Sequence, residues 1–205
     1  MLKMDLFEAI KTRRSVRRFK RRPLDRAVLT VLLEAARCAP SASNRQPLEY
    51  IVVDEPAVVR KVFEQLAWGA LVRPRRNPPK GGEPAAYIVV LVNEDVAVKG
   101  FGSVDAAAAI VNILLAAQAK GIGSCWLASV QREKMQQILQ IPAKLEINSV
   151  VALGYPDEQP IMEDAKDDSA EAVRYYLDDA DRLHVPKRRL SSISHLNEYG
   201  GGFGG

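Results

Sequence analysis

The chain has 205 residues, of which 47% are apolar and 26% charged, an ordinary balance for a soluble globular protein with a sizeable core. Its formal net charge is only +4, and its basic residues gather in short clusters. This pattern suits local anion sites better than a nucleic-acid-binding field over the whole surface. The two cysteines fit neither a disulfide framework nor metal-ligand spacing, and the N-terminus lacks an apolar signal core, so we expect a cytoplasmic protein.

The first predicted helix leads into a basic run. A capping box that begins at Asp5 predicts a helix ending at Thr12 or Arg13. Residues 11–22 then hold eight basic residues and no acidic one. Like charges at this density repel one another unless an anion compensates them, and arginine forks beside the Ser15 hydroxyl suit a phosphate. A solvated basic face or a nucleic-acid patch is the alternative that this run alone leaves open.

A second helix and a polar loop follow. Asp25 is the predicted N-cap of a helix that reaches about Cys38. Residues 39–47 then form a polar loop with a proline near each end. Its small residues let a flat ligand approach the backbone, and the amides of Asn44 and Gln46 offer the donors and acceptors that a flavin ring edge needs. Taken by itself, the loop is better explained as an ordinary Ser/Asn turn.

The middle of the chain alternates strands and helices. The pattern predicts a strand over residues 50–53, a helix from 56 to about 68 and a second strand over 86–92. Residues 69–85 are irregular and rich in proline, which is typical of a mobile lid or a disordered segment. Three arginines lie in this segment: Arg73, Arg75 and Arg76.

The next predicted helix, residues 105–120, is apolar nearly all round, which indicates burial on most sides. Its apolar part, residues 106–119, is interrupted by polar residues and too short to span a bilayer, so we expect no membrane partner. We interpret Asp105 as a cap of this helix. The extended crossing over residues 124–128 follows, with Trp126 as a core anchor.

The C-terminal part changes in composition. The predicted elements are a helix over 132–139, a strand over 147–153, an edge strand over 175–177 and a short helix over 190–196. Residues 157–181 are acidic and irregular, and residues 184–189 form a second basic cluster. We expect one α+β domain over residues 1–196 and a flexible, glycine-rich tail over 197–205.

The sequence lacks the usual catalytic groups. His184 and His195 have no paired ligands at metal spacing, and there is no nucleophile elbow or phosphate-binding P-loop motif. Cys125 is interpreted as a buried core residue. We therefore predict no metal site and no catalytic side chain, and we expect a cofactor held by the arginines to carry the chemistry.

Taken together and in order, these stretches resemble the FMN-dependent nitroreductase family along almost the whole chain. The motifs that carry the resemblance are Arg13-Arg14-Ser15-Val16-Arg17, residues 39–47, Asp105 through Asn112 to Gly121-Ile122-Gly123-Ser124-Cys125-Trp126, Gly154-Tyr155-Pro156 and Val185-Pro186-Lys187-Arg188. The resemblance implies a homodimeric α+β fold. In it, helices flank a mixed or antiparallel sheet, FMN lies at the dimer interface, and a C-terminal extension from about residue 157 wraps the partner.

The resemblance also implies the residues that bind FMN. Those on the phosphate and the pyrimidine side are Arg13, Arg14, Ser15 and Arg17, with Lys187 and Arg188 completing the phosphate clamp. Those on the partner subunit's side are Pro40, Ser41, Ala42 and Ser43, and those at the ring edge are Asn44 and Gln46. Those along flavin N5 and the ring face are Cys125, Trp126 and Leu127.

The implied activity is that of an FMN-dependent NAD(P)H oxidoreductase. By a ping-pong route, NADH or NADPH gives hydride to flavin N5 and a nitroaromatic, quinone or enone then takes it. Positive charge in residues 69–85 favours an acidic acceptor or the 2′-phosphate of NADPH. The alternatives are a dehalogenase or a flavin-fragmenting enzyme of the same fold, and a basic nucleic-acid-binding module.

Overall fold

The computed structural model describes residues 4–69 and 77–202, and within them the chain forms helices packed on a central sheet. The helices are α1 (Leu6–Thr12), α2 (Arg26–Arg37), α3 (Pro56–Phe63), α4 (Gly102–Ala119) and α5 (Arg132–Leu139). The strands are β1 (Leu48–Val53), β2 (Ala86–Asn93), β3 (Gly123–Leu127), β4 (Leu145–Gly154), β5 (Ile161–Asp164), β6 (Tyr176–Leu177) and β7 (Leu183–Lys187).

The central sheet has the order β1-β2-β4-β3, and all its neighbours are antiparallel. Both faces are covered. Helices α2 and α4 pack on one face, and a second apolar cluster that includes Phe19, Trp68 and Tyr87 packs on the other. Strand β2 is buried along nearly its whole length, as its run of β-branched and aromatic residues predicts. The predicted α+β class with helices flanking an antiparallel sheet is confirmed.

Helix α4 begins one turn earlier than predicted and is the principal helix of the core. Its 18 residues have a mean hydropathy of 1.4, so by length and composition it could cross a membrane. Residues 106–119, which were expected to be too short to span a bilayer, thus form part of a longer helix that passes this test. A core helix passes the same test, and Ile110 and Ile113 are fully buried against the sheet.

A small second sheet was largely missed by the sequence analysis. It has the order β5-β7-β6, in which β7 is parallel to β5 and antiparallel to β6. Only β6 was predicted, and it forms at Tyr176–Leu177. The strands β5 and β7 carry acidic, basic and proline residues with weak strand propensity, so backbone pairing rather than local preference makes them strands.

Two predicted helices are shorter than expected. Helix α3 ends at Phe63 instead of reaching Trp68, because the backbones of Gln65 and Ala67 bond to the chain at Ser129 and Gln131. The predicted helix over 190–196 is reduced to a 3₁₀ turn at Leu190–Ser192. Elsewhere the predicted helices and strands form, with boundaries shifted by a few residues.

Candidate functional site

The basic run docks against the start of β3 and the end of β4. Ser15 forms a parallel bridge with Ser124, and the Val16 amide donates to the Ser124 carbonyl at 2.9 Å. A side chain at Gly154 would place its Cβ 2.8 Å from the Phe19 ring, so this close approach requires a glycine. The run is thereby fixed as an extended segment beside the sheet.

Arg13 and Arg14 of the run lie in a partly buried setting without matching carboxylates in the described part of the chain. Arg14 is only 7% exposed, and its guanidinium donates to the carbonyls of Lys11 and Arg13 and lies 2.8 Å from the Met162 sulfur. Burial lowers the pKa of both Arg13 and Arg14. Within residues 4–69 and 77–202, neither of them forms an ion pair with an acidic side chain.

Arg17 likewise forms no ion pair with an acidic side chain among the described residues. Within the described residues its buried Nε has no hydrogen-bond partner, and its guanidinium lies 5.6 Å from the centre of the Tyr175 ring. A cation held away from water without an anion is costly, so a bound anion would stabilise the buried Arg14 and the half-buried Arg13 and Arg17. Their planar forks and the adjacent Ser15 hydroxyl match the oxygens of a phosphate.

Acidic residues that the sequence analysis did not assign hold the backbone of the run in place. The Arg17 amide donates to the Glu158 carboxylate at 2.5 Å, and Arg18 forms an ion pair with Asp181. Both carboxylates come from the acidic segment that the sequence analysis described only as irregular. The opposite charges of residues 11–22 and 157–181 indicate that the two segments could contact each other, but they do not identify which residues form the contacts.

Strand β3 places its three predicted site residues alternately on two faces. Cys125 and Leu127 are buried, and Trp126 points to the opposite face with 38% of its surface exposed. The interpretation of Trp126 as a core anchor is therefore wrong. Burial raises the pKa of the Cys125 thiol despite the nearby guanidinium of Arg17, so the thiol stays protonated and unreactive as expected.

The polar loop at residues 39–47 has a strained backbone. Ser43, Asn44 and Gln46 have φ values of 51°, 52° and 50°, in the left-handed region that disfavours residues with side chains. Such strain is retained where the surrounding structure enforces it and is concentrated at functional sites. The Gln46 side chain donates to the Asn44 side-chain oxygen at 3.2 Å, so the two amides lie together on an exposed surface.

Asp105 holds this loop on the first turn of α4. Its Oδ1 accepts a hydrogen bond from the Ala42 amide at 2.9 Å, while its buried Oδ2 has no hydrogen-bond partner in the part of the chain that the structure describes. The interpretation of Asp105 as a cap of its own helix is wrong, because α4 starts at Gly102 and the carboxylate bonds to the loop instead. Sequence spacing alone does not reveal this contact over 63 positions.

The two groups of predicted site residues lie at opposite ends of α4. The loop is tied to Asp105, near the start of the helix, whereas Gln118 near its end donates to Thr12 at 3.0 Å, beside Arg13. At 1.5 Å per residue, these two anchor points are about 20 Å apart. One protomer therefore does not bring the arginines and the loop together.

The second basic cluster approaches the first through β5 and β7. Met162, which contacts Arg14, pairs with Val185, and Lys187 lies two residues further along the same face of β7. Arg188 is turned away: its Nε donates to Asp168 at 3.1 Å and its Nη2 to the Ser192 carbonyl. The structure thus brings the strand that carries Lys187 next to Arg14 but engages Arg188 elsewhere.

An apolar surface lies on the outer side of α4 and α1. Along α4, apolar side chains that are exposed or half-buried recur at spacings of four and three: Val104, Ala108, Val111 and Leu115. Helix α1, which packs against α4, exposes Leu6, Phe7 and Ile10. A surface of this kind is typical of a protein–protein interface.

Comparisons with known proteins agree with this architecture. The sequence model of the nitroreductase family matches residues 10–155. A protein from Methanothermobacter thermautotrophicus described as a "putative NADH dehydrogenase/NAD(P)H nitroreductase" is 34% identical over 189 residues, covering 90% of this chain and 88% of its own length.

Solved structures show the same fold. A "putative NADH dehydrogenase/NAD(P)H nitroreductase" from Parabacteroides distasonis superimposes with a TM-score of 0.67 at 24% identity, over 95% of this chain and 98% of its own. A "putative nitroreductase in complex with FMN" from Desulfovibrio desulfuricans has a TM-score of 0.64 at 27% identity, over 81% and 93%. More distant relatives include an iodotyrosine deiodinase from Thermotoga neapolitana (27% identical; 75% of this chain, 89% of its own) and a 5,6-dimethylbenzimidazole synthase from Rhodospirillum rubrum (25%; 74% and 82%).

Proposed function

The chain belongs to the nitroreductase family, and from this we infer that it is an oxidoreductase that binds FMN and uses NADH or NADPH to reduce a small acceptor. The acceptor is a nitroaromatic, a quinone or an enone. The observation that carries the proposal is that the buried Arg14 and the half-buried Arg13 and Arg17 form no ion pair with a carboxylate within residues 4–69 and 77–202. A flavin phosphate supplies the anion that these arginines lack.

The chemistry of the arginines and of the neighbouring strand suits FMN. Arg13, Arg14, Ser15 and Arg17 are proposed to hold the phosphate and the pyrimidine side, with Lys187 reaching the phosphate from β7. Arg188 joins them only if it leaves Asp168. The backbone of Cys125, Trp126 and Leu127 is proposed to follow the ring, and the exposed Trp126 side chain supplies an apolar surface beside it.

We further propose a homodimer in which each FMN contacts both subunits. If two copies of α4 pack antiparallel about a two-fold axis, the start of one helix lies beside the end of the other. The partner subunit's loop, with Pro40, Ser41, Ala42, Ser43, Asn44 and Gln46, then reaches the arginines of this subunit. The separation of about 20 Å within one protomer and the apolar surface on α4 and α1 both support this arrangement.

The C-terminal extension is proposed to wrap the partner. Leu190, Ile193 and Tyr199 are largely exposed on one protomer, as expected of residues that a second subunit covers. Residues 197–202 turn back, since the Leu196 amide donates to the Gly201 carbonyl. The single domain over residues 1–196 and the flexible tail over 197–205 remain predictions, and residues 203–205 lie outside the described part.

When bound, FMN supplies hydride transfer through N5, in a ping-pong sequence with the nicotinamide donor and the acceptor. The protein contributes position and charge. The guanidiniums fix the phosphate end, and their positive field favours added electron density on the ring. The strained loop presents the Asn44 and Gln46 amides to the ring edge. No side chain needs to act as a general acid or base.

The described parts of residues 69–85 lie against the basic run. The Phe19 amide donates to the Gly82 carbonyl, and the Arg21 Nε donates to the Gly81 carbonyl at 3.3 Å. The predicted role of Arg73, Arg75 and Arg76 in acceptor or NADPH preference falls outside the described residues and stays a prediction. We also propose a cytoplasmic location. The free thiols of Cys38 and Cys125 support it, because disulfides are rare in that compartment.

The nucleic-acid alternative is less well supported than the FMN proposal. Phe19 is the aromatic residue of the basic run, and it is fully buried, so no base can stack on it. The dehalogenase and flavin-fragmenting alternatives share the FMN site, and relatives with those names exist. Assays for iodide release from iodotyrosine and for dimethylbenzimidazole formation separate them from the proposed activity.

Steady-state kinetics of the FMN-loaded protein test the proposal. We expect anaerobic oxidation of NADH or NADPH to require an added nitroaromatic, quinone or enone, with the parallel initial-rate lines of a ping-pong reaction. FMN-loaded protein that oxidises neither nicotinamide with any of the three acceptors would contradict it.

A further inference from the structure

His184 connects all three strands of the small sheet. It lies on β7, and its Nδ1 is 2.8 Å from Oε2 of Glu163 on β5. Its Nε2 is 3.3 Å from Oδ2 of Asp178, which follows β6. Its ring stacks on Tyr176 of β6 at a centroid distance of 4.8 Å. With only 14% of its side chain exposed, the imidazole is largely enclosed by these contacts.

The donor and acceptor pattern requires a charged imidazole. Ionised carboxylates only accept hydrogen bonds, so both ring nitrogens must carry a proton to satisfy both of them. A neutral imidazole has one N–H and would turn a lone pair toward one carboxylate. The contacts with Glu163 and then Asp178 accordingly raise the pKa of His184.

The other charged and titratable groups around this cluster are accounted for. Tyr176 donates its hydroxyl to Oε1 of Glu163 at 2.9 Å. Arg182 donates to Oδ2 of Asp178 at 2.8 Å. Lys166 lies close enough to contribute to lowering the Glu163 pKa. His184 is therefore the cation that joins the carboxylate of β5 to the one after β6.

The small sheet in turn supports the proposed cofactor site. Met162 of β5 contacts the Arg14 guanidinium, and β7 ends at Lys187, on the face that Met162 shares. The loop between β6 and β7 is joined to the basic run by the ion pair of Asp181 with Arg18. A change in how β5, β6 and β7 are held together reaches the phosphate-binding residues by these contacts.

We propose that His184 is a positioning residue whose protonated imidazole clamps the small sheet and thereby tightens FMN binding as pH falls. This rests on the FMN site proposed above. Because the folded protein raises the pKa of His184, the clamp is complete below the ordinary histidine value of about 6.5 and is lost as pH rises through the raised value. FMN affinity follows the same direction.

The test is FMN affinity of the intact chain, with FMN titrated into cofactor-free protein from about pH 6 to about pH 9, that is, from below the ordinary histidine pKa of about 6.5 to well above it. For the unaltered chain we expect the Kd to rise by about fivefold to tenfold over this range, as the loss of one charge-assisted contact implies. His184→Gln should bind weakly throughout, without this dependence. Protonation of the FMN phosphate, whose second pKa is about 6, is common to every variant and cancels in the comparison.

Glu163→Gln separates the clamp from a merely structural role. In that variant a neutral imidazole can donate from Nε2 to Asp178 and accept at Nδ1 from the introduced side-chain amide, so tight binding should persist to high pH. His195→Gln, the change at the other histidine of the chain, should leave the unaltered pH profile intact. A Kd of the unaltered chain that does not change with pH, or the same profile in His184→Gln, would overturn the proposal.

A readout without FMN keeps this inference distinct from the proposed function. Amide hydrogen exchange of the cofactor-free protein, corrected for the intrinsic effect of pH, should show protection of β5–β7 falling as His184 deprotonates, and Glu163→Gln should retain it. Loss of protection without any FMN binding would refute the cofactor site and leave the clamp standing. Constant protection across the range would refute the clamp.

Discussion

At the residue scale, the account depends on buried or half-buried arginines that have no carboxylate partner among the described residues. Arg14 is the sharpest case, because its guanidinium is nearly enclosed and meets carbonyl oxygens and a sulfur instead of a carboxylate. Such a residue lowers the stability of the empty protein and gains its partner on binding. Binding and stability should therefore respond in opposite directions when its charge is removed.

Arg14→Gln is expected to raise the Kd for FMN by about tenfold to a hundredfold, since a charge-assisted bond to phosphate is lost. The melting temperature of the cofactor-free protein should stay level or rise. Fluorescence titration with FMN and calorimetry measure the two quantities. Arg26→Gln, at an exposed arginine paired with Asp54, is the matched control and should leave FMN affinity unchanged. Equal weakening in both variants would refute the role given to Arg14.

At the element scale, the strained loop can be compared with strain elsewhere. Gln46 in the loop and Gln140 after α5 have φ values of 50° and 52°. Glycine relieves such strain, so Gln46→Gly and Gln140→Gly should each raise the free energy of unfolding by about 1 kcal/mol. Only Gln46→Gly should weaken FMN binding, because Gln140 ends a helix outside the site. Urea unfolding and FMN titration decide the point, and equal affinity in both variants would contradict the assigned role of the loop.

Elements with strong local signals were predictable from the sequence. Asp5 and Asp25 cap α1 and α2 as their chemistry indicates, and the apolar run of β2 forms a buried strand. Strands β5 and β7 were not predictable, because their polar residues become strands only by pairing with each other. Trp126 was misjudged since the alternation of β3 places it opposite Cys125, and only the finished sheet decides which face is covered.

The candidate site, too, was predictable from the sequence only in part. Residues 13–17 and 39–47 were singled out by composition and by the order of the family motifs. The contacts that fix them, from Glu158 to the Arg17 amide and from Asp105 to the Ala42 amide, join distant parts of the chain. The packing of β4 and α4 determines which residues form these contacts, and a local sequence pattern does not reveal that packing.

At the scale of the whole molecule, the central claim is that each site is shared by two subunits. Val111→Glu places a charge in the apolar surface of α4 and should yield monomers of about 22.6 kDa that bind FMN weakly. Val96→Glu, at a similarly exposed valine outside α4, is the control and should remain dimeric. Light scattering coupled to size-exclusion chromatography measures the mass. A monomeric Val111→Glu variant with full FMN affinity would contradict a shared site.

Subunit complementation tests the central claim most directly. One variant carries Arg13→Gln with Arg14→Gln, and the other carries Asn44→Gly with Gln46→Gly, so each homodimer has two damaged sites. After equal amounts are unfolded, mixed and refolded together, half of the dimers should be mixed and have one intact site. Tight FMN binding, measured by flavin absorbance, should then recover to about a quarter of the unaltered protein's sites. Recovery at that level would support the shared site, whereas a mixture of dimers that binds no more FMN than its components would show that each site is contained within one subunit.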